Sequence, residues 1–163
     1  MFFPAEKVYV RSFDAAHVEA VLRLPGEGGP YPAVVIIHGG RGGLLRELDN
    51  VGYVQSHLLA DGYAIFDVDY RRYHFGDEQL EDVVACYRYL RSRPEVDENR
   101  VGVIGGSHGG FLALLLATRE RPAAVVAFAG LVDIVGTFYE LTQEVVEEFK
   151  GNYELYETLF VET

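Results

Sequence analysis

The chain has 163 residues, 49% of them hydrophobic and 24% charged, enough for one domain with a real core and short for two. Its formal net charge is −11, from 14 basic and 25 acidic side chains, and seven glutamates stand against Lys150 beyond Tyr139. An acidic surface with no basic stripe argues against nucleic acid and against anionic membranes as partners.

Glu6 to Phe13 and His17 to Leu24 are short alternating runs separated by Asp14-Ala15-Ala16, the pattern of an antiparallel hairpin. Pro25 to Pro32 is a Gly- and Pro-rich surface turn. Ala33-Val34-Val35-Ile36-Ile37 is a continuous apolar strand of the kind covered on both faces, and it ends in His38-Gly39-Gly40. Leu48, Val51, Val54, Leu58 and Leu59 mark a helix whose left-handed cap is Gly62. Tyr63 to Val68 is the next strand, running into Asp69-Tyr70-Arg71-Arg72 and a loop through Phe75 and Gly76. Leu80, Val83, Val84, Tyr87 and Leu90 predict a second amphipathic helix that stops before Pro94.

Val101 to Gly110, VGVIGGSHGG, organises the rest of the chain. An apolar strand leads into G-x-S-x-G, and a helix that is apolar nearly all round, and so expected to be buried, starts at Phe111. In a nucleophile elbow the serine takes a strained backbone conformation, so its neighbours must lack clashing side chains. Gly105, Gly109 and Gly110 meet that need. Ala123 to Ala129 predicts a further buried strand, and Ile134, Phe138, Leu141 and Val145 a last helix before Gly151. Helices alternating with apolar strands make this an α/β domain with a mostly parallel sheet, spanning 1–163.

Sites in open parallel sheets form at the carboxyl ends of the strands. His38-Gly39-Gly40, Asp69-Tyr70-Arg71-Arg72 and Ser107 all arrive at that edge. The backbone N–H of His108, with one from Gly39 or Gly40, would complete an oxyanion hole.

PAVVIIHGG, FDVDYRR, the pair Glu81-Asp82 and NRVGVIGGSHGGFLALLLA together resemble the α/β-hydrolase superfamily, and within it the catalytic domain of the prolyl-oligopeptidase family and related esterases. The resemblance runs from about Glu6 to the C-terminus. It implies a three-layer fold, Ser107 as nucleophile, and Gly39, Gly40 and His108 as backbone donors. The implied chemistry is acyl transfer to water on small-molecule ester or peptide substrates, without metal or organic cofactor.

One departure stands against it. The triad order in these hydrolases is Ser, then Asp or Glu, then His. The 56 residues after Ser107 (163 − 107) hold one aspartate, Asp133, and one histidine, His108. The expectation is therefore a hydrolase domain lacking its last strands, with its acid and base on another polypeptide or removed. Within the chain, His74 is the best-placed alternative base, on a loop at the correct sheet edge. His108 adjoins Ser107 too closely to serve, and His38 is expected to support the oxyanion loop. Asp133 stands where some of these enzymes carry their acid, or else caps the helix before Ile134. Asp67 and Asp69, two carboxylates without matched ligands elsewhere, make a poor metal site, and Arg71 and Arg72 could bind a substrate carboxylate but read rather as surface ion pairs.

Missing strands would leave Ala123 to Ala129 as an open apolar edge, and self-association or a complementing chain is expected there. Cys86 is the only cysteine, MFFPAEKVYV lacks the basic start of a signal peptide, and no run approaches the roughly 20 apolar residues of a membrane span, so a cytoplasmic protein is expected. The rival to a serine hydrolase is a non-catalytic α/β-hydrolase-like module that binds a partner or small ligand.

Overall fold

The computed structural model describes residues 5–40, 52–72, 77–128 and 130. Strands β1 (Ala5–Arg11) and β2 (His17–Arg23) form the expected hairpin, in register from Ala5 opposite Arg23 to Arg11 opposite His17. Alternation buries Val8, Val10, Val18, Ala20 and Leu22 on one face. At the turn, Asp14 Oδ1 accepts the Ala16 N–H at 3.1 Å and Ala15 takes a φ of 69°.

Strand β3 (Tyr31–Ile37) begins two residues earlier than the apolar run, because Tyr31 N–H donates to Glu95 O at 2.8 Å and so joins the sheet. Helix α1 (Tyr53–Ala60) precedes β4 (Ala64–Asp69). Its end is the expected glycine cap. Gly62 has a φ of +85°, Gly62 N–H donates to Leu59 O and Tyr63 N–H to Leu58 O, the paired bonds of a Schellman motif. The expected apolar stripe is narrower: Leu59 is buried, Leu58 is half-buried and Val54 is 50% exposed. This short helix covers a satellite core of Val34, Leu59 and Ile65, which one turn suffices to fill. Leu48 and Val51 lie outside the described residues.

Helix α2 (Asp77–Arg91), strand β5 (Val96–Gly106), helix α3 (His108–Glu120) and strand β6 (Val125–Phe128) complete the described elements. The sheet order is β1-β2-β4-β3-β5-β6, with β1, β2 and β4 antiparallel in sequence and β4, β3, β5 and β6 parallel. Strand β3 faces both ways. Ala33, Val35 and Ile37 join the large core with α2 and α3, and Val34 and Ile36 join the satellite core with α1. This is the three-layer α/β-hydrolase-type architecture.

Two expectations about burial need correction. Helix α3 buries Phe111, Leu112, Ala113 and Leu116, but Leu114 is 37% exposed, since only one side of the helix meets the sheet. Strand β6 is four residues long rather than seven, and Val126 and Phe128 are 51% and 60% exposed. It is the edge of the described sheet, with β5 alone beside it. The expected last helix and the Phe75-Gly76 loop lie outside the described residues. Among the described residues no helix is long and apolar enough to cross a membrane.

Candidate active site

Parallel β3, β4 and β5 deliver three segments to one edge of the sheet: His38-Gly39-Gly40, Asp69-Tyr70-Arg71 and Ser107. Ser107 is exposed, with φ 52° and ψ −122°, a conformation that non-glycine residues seldom adopt. The backbone around it is held from both sides. Ser107 N–H donates to Phe128 O at 3.0 Å, and Ser107 O accepts the N–H groups of Gly110 and Phe111 at 2.9 and 3.2 Å. The Ser107 hydroxyl makes no capping bond to α3, so it is not spent on the helix.

Close backbone approach explains the glycines. A Cβ on Gly105 would sit 2.1 Å from Gly109 O, and one on Gly109 would sit 2.1 Å from Ile37 O and 2.4 Å from His38 O. The turn thus brings β5, α3 and the end of β3 to contact distance. Gly110 is less constrained, its Cβ position lying 3.0 Å from Gly130 Cα. Sequence reasoning passed over Gly106, where a Cβ would strike the Phe128 ring at 2.5 Å.

The expected oxyanion loop lies against this elbow. The Cβ position of Gly39 is 3.1 Å from both Ser107 Cβ and Gly106 O, and Gly40 has a φ of +81°. His38 supports the loop as expected. Its Nδ1 is 2.7 Å from Gly39 O, which can only accept, so Nδ1 carries a proton. Its Nε2 lies 3.4 Å from Asp69 Oδ1. The Tyr70 ring stacks on His38 at 4.6 Å, and the Tyr70 hydroxyl donates to His38 O at 2.9 Å and Gly40 O at 3.3 Å.

His108 turns its side chain into the core against α2. It is buried, and its Nε2 donates to Gln79 Oε1 at 2.7 Å. Gln79 in turn donates to Arg71 O at 2.8 Å. Arg71 is therefore no surface ion pair but a fastener. Its backbone N–H and Nε both bond Asp82 Oδ2, its Nη2 reaches Asp82 Oδ1 at 2.7 Å, and its Nη1 reaches Asp14 at 2.8 Å. Gln79, Asp82 and Tyr70 were not singled out from sequence as site residues. The signal available was a glutamine and an aspartate on the apolar side of a helix, three residues apart.

Burial, with His38 adding to it, pushes the His108 imidazole down to about 4. A group whose folded pKa lies below its unfolded value of 6.5 binds more protons when unfolded. Stability is therefore expected to fall between pH 6.5 and pH 4, by about 3 kcal/mol in all, from 1.36 kcal/mol per unit. Urea unfolding of wild type and His108→Gln across that window checks this. The variant's slope with pH should be shallower, and an unchanged slope would contradict the burial argument.

The remaining sequence candidates divide clearly. Asp67 is buried in an ion pair with Arg23, and Asp69 faces His38, so the two carboxylates serve different neighbours. Among the described residues no group of three His, Cys, Asp or Glu side chains is placed to hold a metal ion. Two histidines that are not candidates lie elsewhere: exposed His57 on α1 has its Nδ1 2.8 Å from Tyr53 O, and His17 opens β2. His74 and Asp133 lie outside the described residues.

Known proteins resemble this chain in sequence and in fold. The BD-FAE family model matches residues 22–152. Acyl-coenzyme A thioesterase 1 of Mus musculus is 33% identical over 135 residues, covering 79% of this chain and 31% of that protein. Uncharacterized peptidase YtmA of Bacillus subtilis (strain 168) is 26% identical over 157 residues, covering 85% of this chain and 58% of its own length. The chain thus spans less than a third of that thioesterase. The crystal structure of EstE1, a thermostable carboxylesterase cloned from a metagenomic library, shares the fold with a TM-score of 0.73 at 24% identity, over 90% of this chain and 53% of that one. With the family model matched over most of the chain and the fold shared with that esterase, the chain belongs to the BD-FAE family of α/β-hydrolase-type domains.

Proposed function

We propose that this chain carries the nucleophile and oxyanion hole of a serine hydrolase acting on carboxylic-ester, thioester or peptide bonds. The observation that supports this best is the conformation of Ser107: a strained, exposed serine with a free side chain between β5 and α3, with Gly39 packed against it. The relatives named as thioesterase and peptidase and the esterase of like fold all fit acyl transfer.

The chemistry follows from the geometry. Ser107 Oγ attacks the acyl carbonyl as a base removes its proton. The carbonyl oxygen becomes an oxyanion and receives the His108 N–H and an N–H of Gly39 or Gly40. Collapse expels the alcohol, thiol or amine with a proton from the base, leaving the acyl group on Ser107, and water reverses the sequence. None of these steps calls for a metal or an organic cofactor. The base comes from outside the described residues, from His74, from a separate polypeptide or from a part of the domain not in this sequence, with Asp133 the acid if a histidine reaches it. The β6 edge, with Val126 and Phe128 exposed, is where a second chain would add.

One observation favours the second reading, a binding module. His38 and His108, the two histidines beside the elbow among the described residues, are both committed to the scaffold, the first to Gly39 O and the second to Gln79. A fluorophosphonate separates the two readings. Stoichiometric labelling of wild type and none of Ser107→Ala is expected. An unlabelled wild type would favour the binding module.

A further inference from the structure

The geometry points to Tyr70 as a positioning residue for the oxyanion loop: its hydroxyl fixes the peptide planes from which Gly39 and Gly40 offer their N–H groups. This rests on the serine-hydrolase reading, and extends it to a residue outside the reacting set.

A trans peptide is planar, and its C=O and the next residue's N–H point in opposite directions. Holding a carbonyl therefore aims the following N–H. In this loop the carbonyls of His38, Gly39 and Gly40 are each held by a side chain. Tyr70 takes His38 O at 2.9 Å, which aims Gly39 N–H away from it. His38 Nδ1 takes Gly39 O at 2.7 Å, which aims Gly40 N–H. The same Tyr70 proton leans toward Gly40 O at 3.3 Å, the weaker arm of a three-centre bond. Tyr70 also stacks on the His38 ring, with 14° between the planes, so it steadies the second clamp as well as making the first.

Two glycines in succession need such a clamp. They have no side chain to hold them and lose more backbone freedom on ordering than any other residue. Gly40, at φ +81°, is in a region that glycine leaves as easily as it enters. The clamp itself is rigid. Tyr70 is fully buried, and its place follows from the sheet, since β4 runs parallel to β3 with Val68 beside Ile37. One step beyond that pair therefore faces Asp69 to His38, and the next brings Tyr70 to the loop. Burial and the Asp69 carboxylate push the phenol far above its ordinary value, so it remains a donor at any working pH.

Tyr70→Phe tests this, because it keeps the ring and deletes the proton. Three readouts are compared with wild type: kcat and KM for p-nitrophenyl acetate, the rate of fluorophosphonate labelling of Ser107, and amide hydrogen exchange at Gly39 and Gly40. Loss of a whole oxyanion donor costs about 100- to 1000-fold in kcat, so misaiming one should cost about 10- to 100-fold. The expected result is that fall in kcat and in labelling rate, a KM within about twofold, and faster exchange at both glycines. A merely structural tyrosine would lower the melting temperature without this split between kcat and KM. Wild-type rates in Tyr70→Phe, or unchanged exchange at Gly39 and Gly40, would overturn the proposal. An unreactive wild type would overturn the hydrolase reading and Tyr70's catalytic part with it. The exchange rates then tell that failure from a failure of the clamp.

Discussion

Gly109→Ala is expected to cost the domain about 4 kcal/mol or more, a large share of the 5–15 kcal/mol by which domains are stable. The added methyl would lie 2.1 Å from Ile37 O and 2.4 Å from His38 O. Both are backbone atoms, and neither can step aside. Ile37 ends a central strand held by β4 on one side and β5 on the other, while His38 O is bonded by Tyr70. Relief requires α3 to move off the sheet, and with it Phe111, Leu112 and Leu116, which are buried in the main core. Helix propensity predicts the reverse sign, since alanine within a helix gains about 1 kcal/mol over glycine. The two arguments are therefore cleanly opposed. Urea unfolding followed by circular dichroism decides between them, with Gly62→Ala as the reference. At Gly62 a Cβ meets nothing within 4 Å and only the φ of +85° is strained, so a loss of about 1 kcal/mol is expected there. A Gly109→Ala protein as stable as wild type would mean that α3 and β3 are not in contact at the elbow.

The contrast between these glycines also marks what was legible in the sequence. Strand positions were readable because apolar runs such as Val34-Val35-Ile36-Ile37 have few other uses, and the hairpin because its alternation changes at Asp14-Ala15-Ala16. The elbow was readable because its glycines carry a steric requirement that the spacing alone expresses. Burial at the sheet edge was not. Val126 and Phe128 have the composition of a core strand, and only the sheet order shows that β5 alone flanks them among the described residues. Side-chain partnerships across distant segments were also hidden. Nothing local to Arg71 announces that Asp82 and Asp14 will hold it, or that Gln79 will join Arg71 to His108.

These partnerships tie the elbow to the rest of the fold through two separate routes. One runs from Tyr70 through the carbonyls of the oxyanion loop, and the other from His108 through Gln79 to Arg71 and Asp82. Tyr70 and Arg71 are adjacent residues at the end of β4, so one strand end anchors both donors of the proposed oxyanion hole. Preorganisation of this kind is what makes hydrogen-bond donors effective at a developing charge, because nothing need reorient during the reaction.

Ser107→Ala is expected to have the largest effect on activity. Wild type mixed with excess p-nitrophenyl acetate should release a burst of p-nitrophenolate approaching one equivalent per chain, followed by a slower steady phase. On the proposed reading the burst reports acylation of Ser107, in which a base takes the serine proton and the proposed oxyanion hole receives the developing charge. The steady phase reports deacylation, in which the base that activated Ser107 activates water. Ser107→Ala should show no burst and a rate lower by about 1000-fold or more, because removing a nucleophile removes the acyl-enzyme route entirely. What then persists is the background that binding and oxyanion donors supply to attack by water. The two phases also locate the base. If His74 supplies it, His74→Ala should slow both the burst and the steady phase strongly, because the same base takes the Ser107 proton in acylation. If a complementing chain supplies it, the steady rate should rise with protein concentration and be indifferent to His74. Equal rates for wild type and Ser107→Ala, with no burst in either, would remove the serine from the mechanism and leave the elbow as part of a binding surface.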